Sequence, residues 1–418
     1  MALNGIAGPF RSREFRLLWG GQFVSNIGTW AQITAVGYLA VRFAATPALA
    51  ALYVGIIGLA AALPVLVLSP VAGVAADHLP RKRILYATNS IQAATALVLG
   101  ILVSCHALAF WHLVALNALR AANQAFDAPA RQSWIPALVP PASLGNAIGL
   151  MSVAFNGPGV IGPPVAGLLI ASVGAATSFY VNAAATLTAV LALALMRSSP
   201  PGRPAREPFF HSMRAGFVFL GRHPALRFVI VMMVVAALVV RPYVALLPAY
   251  AAHVVHVDAR GFGLLLGASG IGGLCGGLAT ALFGHLRRET TWVASAVLMG
   301  VALAVLGCVR SSGAALIVLV VLGMAVLSFQ TLSTVMLQML SPMEMRGRVV
   351  GVNAMLGLGF TPAGSMVMGG MAAAIGLPTA FLAGGAFTVA IVLALRRPMA
   401  RGLLAAVASS PLPRGEVS

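Results

Sequence analysis

Few side chains in this protein could do chemistry, so their spacing carries most of the information. Only 8% of the 418 residues are charged. One acid and three adjacent bases gather in GVAADHLPRKRIL, residues 73–85, which sets Gly73, Asp77, Pro80, Arg81, Lys82 and Arg83 in a fixed order. A second acid, Asp127, follows, and Arg120 and Arg241 stand inside apolar runs. Groups of these types pair, anchor or attract opposite charge. No Ser/His/Asp cluster, metal-ligand spacing or phosphate loop sits in a plausible setting, so neither an enzyme nor a bound cofactor or metal is expected. Cys105, Cys275 and Cys308 show no metal spacing either. A disulfide between Cys105 and Cys308, both near predicted helix ends, is the less favoured reading.

The setting of these groups is apolar. Hydrophobic residues make up 60% of the chain, and its mean hydropathy is +0.96. A soluble domain carries about 25% charged residues. A helix needs about 20 apolar residues to cross a bilayer core about 30 Å thick. The apolar runs are continuous rather than alternating, which argues against a β-barrel. The pattern predicts an all-α membrane protein with twelve helices, at 17–41, 51–72, 84–104, 108–127, 144–171, 175–196, 226–250, 261–284, 291–309, 314–339, 349–373 and 378–396.

Charge sets the expected orientation. With the N-terminus inside, 21 of the 26 Lys and Arg residues fall in inner segments, Arg131 among them, and only Arg42, Arg260 and Arg310 in outer ones. Basic residues concentrate in cytoplasmic loops, so both termini are expected in the cytoplasm. The same bias explains the net charge of +18. No basic run is interleaved with aromatics, and nucleic acid is not an expected partner.

The longest polar stretch, residues 197–225, is Pro-rich at its start and has an amphipathic pattern from Pro208 to Arg222. It reads as a cytoplasmic linker between a six-helix unit at 1–196 and another at 226–396, with a cytoplasmic tail at 397–418. The units look related. His78-Leu79-Pro80-Arg81 aligns with His285-Leu286-Arg287, GPGVIGPP from Gly157 with TPAGSMVM from Thr361, and GAATSF from Gly174 with GLPTAF from Gly376. All three matches share an offset of about 200 residues, which points to duplication and to two pseudo-symmetric bundles around a central site.

The spacing G-x-x-x-D-x-x-P-R-K-R resembles the loop signature of the major facilitator superfamily, which usually has Gly where Pro80 stands. The resemblance implies an inner latch of Gly73, Asp77, Arg81 and Lys82, with Asp127 as the acidic partner of Arg81. The matching loop GHLRRE lacks the acid, which implies a weaker latch in the second half. FRLLWGGQFVSNIGTWAQ (15–32), AFDAPARQSWIPALVP (125–140), LLPAYAAHVV (246–255) and SPMEMRGRVVGV (341–352) are similar to the exporter branch of that superfamily, which includes the bacterial enterobactin exporter and many drug-efflux proteins. Gly157, Pro158, Gly162, Pro163 and Gly167 resemble the antiporter signature of helix 5. Small residues permit close packing, and prolines free backbone groups and permit bending.

In this superfamily helices 1, 4, 7 and 10 line the cavity. The resemblance therefore makes Asn26, Thr29, Trp30, Arg120, Arg241, Gln330 and Thr334 candidate lining residues. Asn26 and Thr29 share a face at helical spacing, and interhelical hydrogen bonding is the competing reading for each neutral group. Arg120, placed toward the cytoplasmic end of its helix, either pairs with Asp127 or a neighbouring carbonyl, or serves the cavity. Arg241 either snorkels outward or lines the cavity and meets an anion. No Asp, Glu or Lys is expected in the middle of any helix, which leaves a neutral-to-positive cavity.

The resemblance implies a monomeric exporter in the bacterial inner membrane, working by alternating access on a mid-sized amphipathic small molecule, neutral or anionic, such as a siderophore or drug. Protons and the lipid bilayer are its other expected partners. The alternatives are an uncoupled facilitator or lipid flippase of the same fold, and a membrane receptor or regulator without transport.

Overall fold

Local sequence sets many of the helix ends. Ser12 caps the first helix by accepting from Phe15 N at 3.3 Å, and Thr46 caps the second by accepting from Leu49 N at 3.2 Å, with Pro47 at the next position. Proline suits that position because its missing N–H would have no intrahelical partner. A glycine with positive φ lies just before the last helix of each half, Gly174 (φ 112°) and Gly376 (φ 84°). A side chain there would be strained. These are the glycines that the repeat GAATSF/GLPTAF aligns, and its phenylalanines, Phe179 and Phe381, are both fully buried.

The structure is a computed structural model that describes residues 8–197, 218–221, 223–283, 288–342, 345, 348–349, 351–353 and 356–409. Among these the helices are α1 (Arg13–Arg42), α2 (Pro47–His78), α3 (Arg81–Ser104), α4 (Phe110–Leu138), α5 (Leu144–Asn156 and Pro158–Ser172), α6 (Ala176–Leu195), α7 (Pro224–Val235 and Tyr243–His253), α8 (Ala259–Phe283), α9 (Arg288–Cys308), α10 (Ser312–Met339), α11 (Thr361–Ile375) and α12 (Leu377–Ser409). A π-type turn, Ala236–Val240, joins the parts of α7, and another, Leu356–Phe360, leads into α11. Nine helical stretches of the described residues are long and apolar enough to cross a membrane. α1 and α4 are as long but carry Gln22, Asn26 and Gln32, and Asn117, Arg120, Asn123, Asp127 and Arg131.

Helix pairing repeats with a shift of six. α1 packs on α6, α2 on α4, and α3 on α4 and α6; α7 packs on α12, α8 on α10, and α9 on α10 and α12. The fold is thus two pseudo-symmetric six-helix bundles. They join along two seams, α2 with α11 and α5 with α8. The face bearing the connections at 43–46, 105–109, 173–175, 254–258, 309–311 and 376 is called distal below, and the opposite face terminal.

The structure departs from the expected boundaries at α4, which runs to Leu138 with Pro129 and Pro136 inside it. A proline inside a membrane helix is tolerated where neighbours satisfy the freed backbone groups. Arg131, counted above as a loop base, therefore lies inside a helix. α12 likewise extends to Ser409, past the expected end of the last helix at 396 and into the residues read as the tail. The expected amphipathic segment from Pro208 to Arg222 falls almost wholly outside the described residues, as do the side chain of Asp77 and most of GHLRRE. Cys105 and Cys308 are both free.

Candidate functional site

Glycines let the halves meet backbone to backbone. On the α5–α8 seam, a Cβ on Gly263 would lie 3.0 Å from Cα of Gly167, and one on Gly270 would lie 2.6 Å from the carbonyl oxygen of Gly159. On the α2–α11 seam, a Cβ on Gly58 would lie 2.7 Å from Pro362 O, and one on Gly369 2.6 Å from Ala51 O. Ordinary carbon contacts begin near 3.5 Å, so larger residues would force the helices apart. Among the described residues these approaches lie in the distal half and reach just past midway at Leu66 and Gly359. The seams therefore close the distal side.

Beneath them lies a two-lobed cavity. One lobe, about 310 Å³, is walled by α1, α2, α4, α7, α8 and α11, with Val36, Val54, Ile57, Phe262 and Leu266 on its apolar surface and Arg120 and Arg241 as its charges. The second, also about 310 Å³, lies nearer the terminal face and is more polar, with Asn156, Tyr243, Ser269 and Gln330. Trp30, Arg241, Val244, Leu266 and Thr361 line both. Among the described residues no Asp or Glu lines either lobe.

Each wall residue is positioned by its neighbours. Asn117 donates to Ile57 O at 3.2 Å and accepts from Nε of Arg120 at 3.2 Å, which ties α2 to α4 and orients the guanidinium. Arg241 follows the π-type turn and precedes Pro242, so it sits where the α7 backbone leaves regular geometry. Such turns recur at functional sites. Tyr243 and Ser269 share a hydroxyl–hydroxyl hydrogen bond. Trp30 packs on the helix-5 motif: a Cβ on Gly159 would lie 3.1 Å from its ring, and one on Gly162 2.6 Å from its Cβ. Pro158 and Pro163 are buried beside them, and Gly157 marks the break in α5.

Trp30, Arg120, Arg241 and Gln330 thus line the cavity, and the outward, snorkelling reading of Arg241 is set aside. Arg120 lies in the distal half of α4 rather than toward the other end, because the helix continues past Pro129, and it bonds to Asn117 instead of Asp127. Asn26, Thr29 and Thr334 do not line either lobe. Asn26 donates to Ala154 O at 2.8 Å and accepts from Gln22, Thr29 accepts from Gln92 at 3.0 Å, and Thr334 accepts from Asn353 at 3.1 Å. Polar side chains in lipid-facing bundles satisfy one another across helices, and periodicity alone does not separate that role from cavity lining. Tyr243 and Ser269 were missed among the lining residues; Pro242 beside Arg241 was the available signal for the first.

The expected partner of Arg81 also differs. Asp127 is buried and forms an ion pair with Arg131, also buried. It accepts from Thr88 Oγ1 at 3.1 Å and from Asn89 Nδ2 at 3.3 Å. Among the described residues no ion pair joins Asp127 to Arg81, whose Nε is buried without a hydrogen-bond partner. Arg131, one turn along the same helix, takes that place. A carboxylate does therefore stand within a helix, paired and away from the cavity. Lys82 caps the end of α6 by donating to Met196 O and, at 3.4 Å, Ala194 O. Gly73 lies within α2.

Two glycine-seamed, pseudo-symmetric six-helix bundles around a central cavity make up the major facilitator fold. The family model described as transmembrane secretion effector matches residues 4–417, and the chain belongs to that family. It is 28% identical to the multidrug efflux pump Tap of Mycolicibacterium fortuitum over 80% of this chain and 84% of that protein. It is 24% identical to the staphyloferrin A transporter of Staphylococcus aureus over 90% and 94%. Among solved structures, a bacterial homologue of the human lysosomal transporter Spinster, inward-facing and unoccupied, superposes with a TM-score of 0.70 at 18% identity, covering 96% of this chain and 99% of that one. The protein is a multi-pass efflux or secretion transporter of small molecules; its family and relatives are transporters, not enzymes.

Proposed function

We propose that the protein exports a mid-sized amphipathic molecule, neutral or anionic and of siderophore or drug type, from the cytoplasm across the bacterial inner membrane by alternating access. The observation that carries this reading is the two-lobed cavity, closed distally, with Arg120 and Arg241 on its wall and no carboxylate among its described lining residues. An apolar wall with a few placed polar groups suits an amphipathic ligand. Relatives named as a multidrug efflux pump and a staphyloferrin A transporter support both cargo types. The concentration of Lys and Arg supports cytoplasmic termini and an external distal face, with the two six-helix units joined through the cytoplasmic linker and the chain acting as a monomer.

Coupling to protons is part of this reading, with the buried Asp127–Arg131 pair as its candidate group. Gly73, Asp77, Arg81 and Lys82 form the inner latch, with Asp127 acting through Arg131. The lack of a carboxylate among the described lining residues favours a second reading, an uncoupled facilitator or flippase.

The deciding experiment uses energised inside-out vesicles with a pH-sensitive dye, challenged with catechol-type anions, neutral macrocycles and lipophilic cations against vesicles lacking the protein. Protein-dependent loss of the gradient with an anionic or neutral class supports proton-coupled export. Equilibration of labelled cargo across the membrane, without accumulation or loss of the gradient, supports the uncoupled reading, and accumulation without loss of the gradient means coupling to something other than protons. Neither response with any class overturns both.

A further inference from the structure

We infer that the cargo is an amphipathic organic anion whose negative group is held between Arg120 and Arg241, one arginine from each half. This rests on the transport reading above and narrows its substrate class. Arg120 comes from α4 and Arg241 from α7, and both face the apolar lobe. Arg120 makes one described hydrogen bond, to the neutral Asn117. Neither guanidinium has an ion pair among the described residues, where Glu14 and Asp127 are the acids that pair with arginine. An arginine at mid-bilayer costs about 2.5–3.5 kcal/mol on insertion scales. Two unpaired like charges facing one low-dielectric space also repel.

An anion between them removes both penalties, since a guanidinium binds a carboxylate through charge-assisted, often bidentate hydrogen bonds. Val36, Val54, Phe262 and Leu266 receive the apolar body, and the second lobe offers neutral partners to further polar groups. Because the arginines belong to different halves, the anion also bridges them. A neutral cargo leaves their repulsion in place, and a cation adds to it. Affinity therefore ranks anion above neutral above cation.

The test is equilibrium dialysis of the full-length protein in nanodiscs of neutral lipid. The probes are labelled naphthalene-2-carboxylate, the neutral naphthalene-2-carboxamide and the cationic naphthylmethylammonium. Wild type should bind the carboxylate about tenfold or more tighter than the amide, as expected of one charge-assisted contact. In Arg120→Gln and Arg241→Gln the carboxylate-to-amide ratio should fall toward one, while Arg241→Lys retains part of it. The glutamine variants should unfold at the wild-type temperature or above it, because each loses a buried unpaired charge; this separates the effect from misfolding.

Equal binding of carboxylate and amide, a preference that survives in the double glutamine variant, or no carboxylate binding up to about 1 mM overturns the proposal. So does chloride displacing the carboxylate at equal concentration, which would make the site one for inorganic anions. Charge-selective binding without transport of any cargo would keep the arginine site and remove the exporter reading. Transport without charge preference would do the reverse.

Discussion

Asp127 and Arg131 stand one turn apart on α4 and form an ion pair buried against α3 and α5. Thr88 and Asn89 of α3 satisfy the carboxylate, and Cζ of Arg131 lies 4.7 Å from the centre of the Phe155 ring. Nε and Nη1 of Arg131 have no hydrogen-bond partner. The guanidinium thus depends on Asp127 and on the ring face. Removing one member of a buried pair leaves the other uncompensated, at a cost of about 3–5 kcal/mol. Asp127→Ala should lower the unfolding temperature strongly in detergent micelles, and Asp127→Asn less, because the amide still bonds to α3. A loss below about 1 kcal/mol would show the pair to be solvated rather than buried.

The same pair marks a limit of sequence reading. The helices and the duplication were legible, because apolar runs of bilayer length and the matched glycines Gly174 and Gly376 leave little choice. The arginines in the apolar runs were also visible as unusual. The course of α4 was not, since Pro129 looks like a terminus unless the neighbours that support the proline are known. That one boundary moved Arg120 to the distal half and turned Arg131 from a loop anchor into the partner of Asp127. Asn26 and Thr29 share a helical face by spacing, yet only packing reveals that the face meets Ala154 and Gln92.

Closure of the distal face rests on glycine contacts, so adding one methyl group should disturb it. A Cβ on Gly167 would press on Ala259 O at 2.5 Å and Cα of Gly263 at 3.0 Å. Overpacking of this kind costs about 1–3 kcal/mol and falls only on the conformation in which the seam is closed. Gly167→Ala should therefore shift the population toward a distally open form, by about tenfold or more. Spin labels at Ala107→Cys and Ser311→Cys in a cysteine-free background should report longer distances. An unchanged distance distribution would mean that the seam does not set the conformational balance.

The proposed latch predicts a kinetic defect. Asp77→Asn removes the acid of the 73–85 signature while preserving its shape. A charge contact near a helix terminus is worth about 1 kcal/mol, so export should slow severalfold while insertion and unfolding temperature hold. Wild-type export rates in this variant would remove the latch from the account.

Trp30 and Asn26 lie one turn apart on α1 and should respond in opposite ways. Trp30 lines both lobes and rests on Gly159 and Gly162, whereas Asn26 spends its amide on Ala154 O. Trp30→Ala removes wall surface that a flat cargo would touch, and aromatic contacts of this kind are worth about 0.5–1.5 kcal/mol beyond burial. Its KM for export should rise by about threefold to tenfold, with partial rescue by Trp30→Phe. Asn26→Ala should leave KM near the wild-type value and lower stability by about 1 kcal/mol, seen as a reduced unfolding temperature. The two readouts, KM from vesicle export and unfolding temperature from detergent micelles, separate a cavity wall from a helix–helix bond. A raised KM in Asn26→Ala with unchanged stability would return Asn26 to the binding surface.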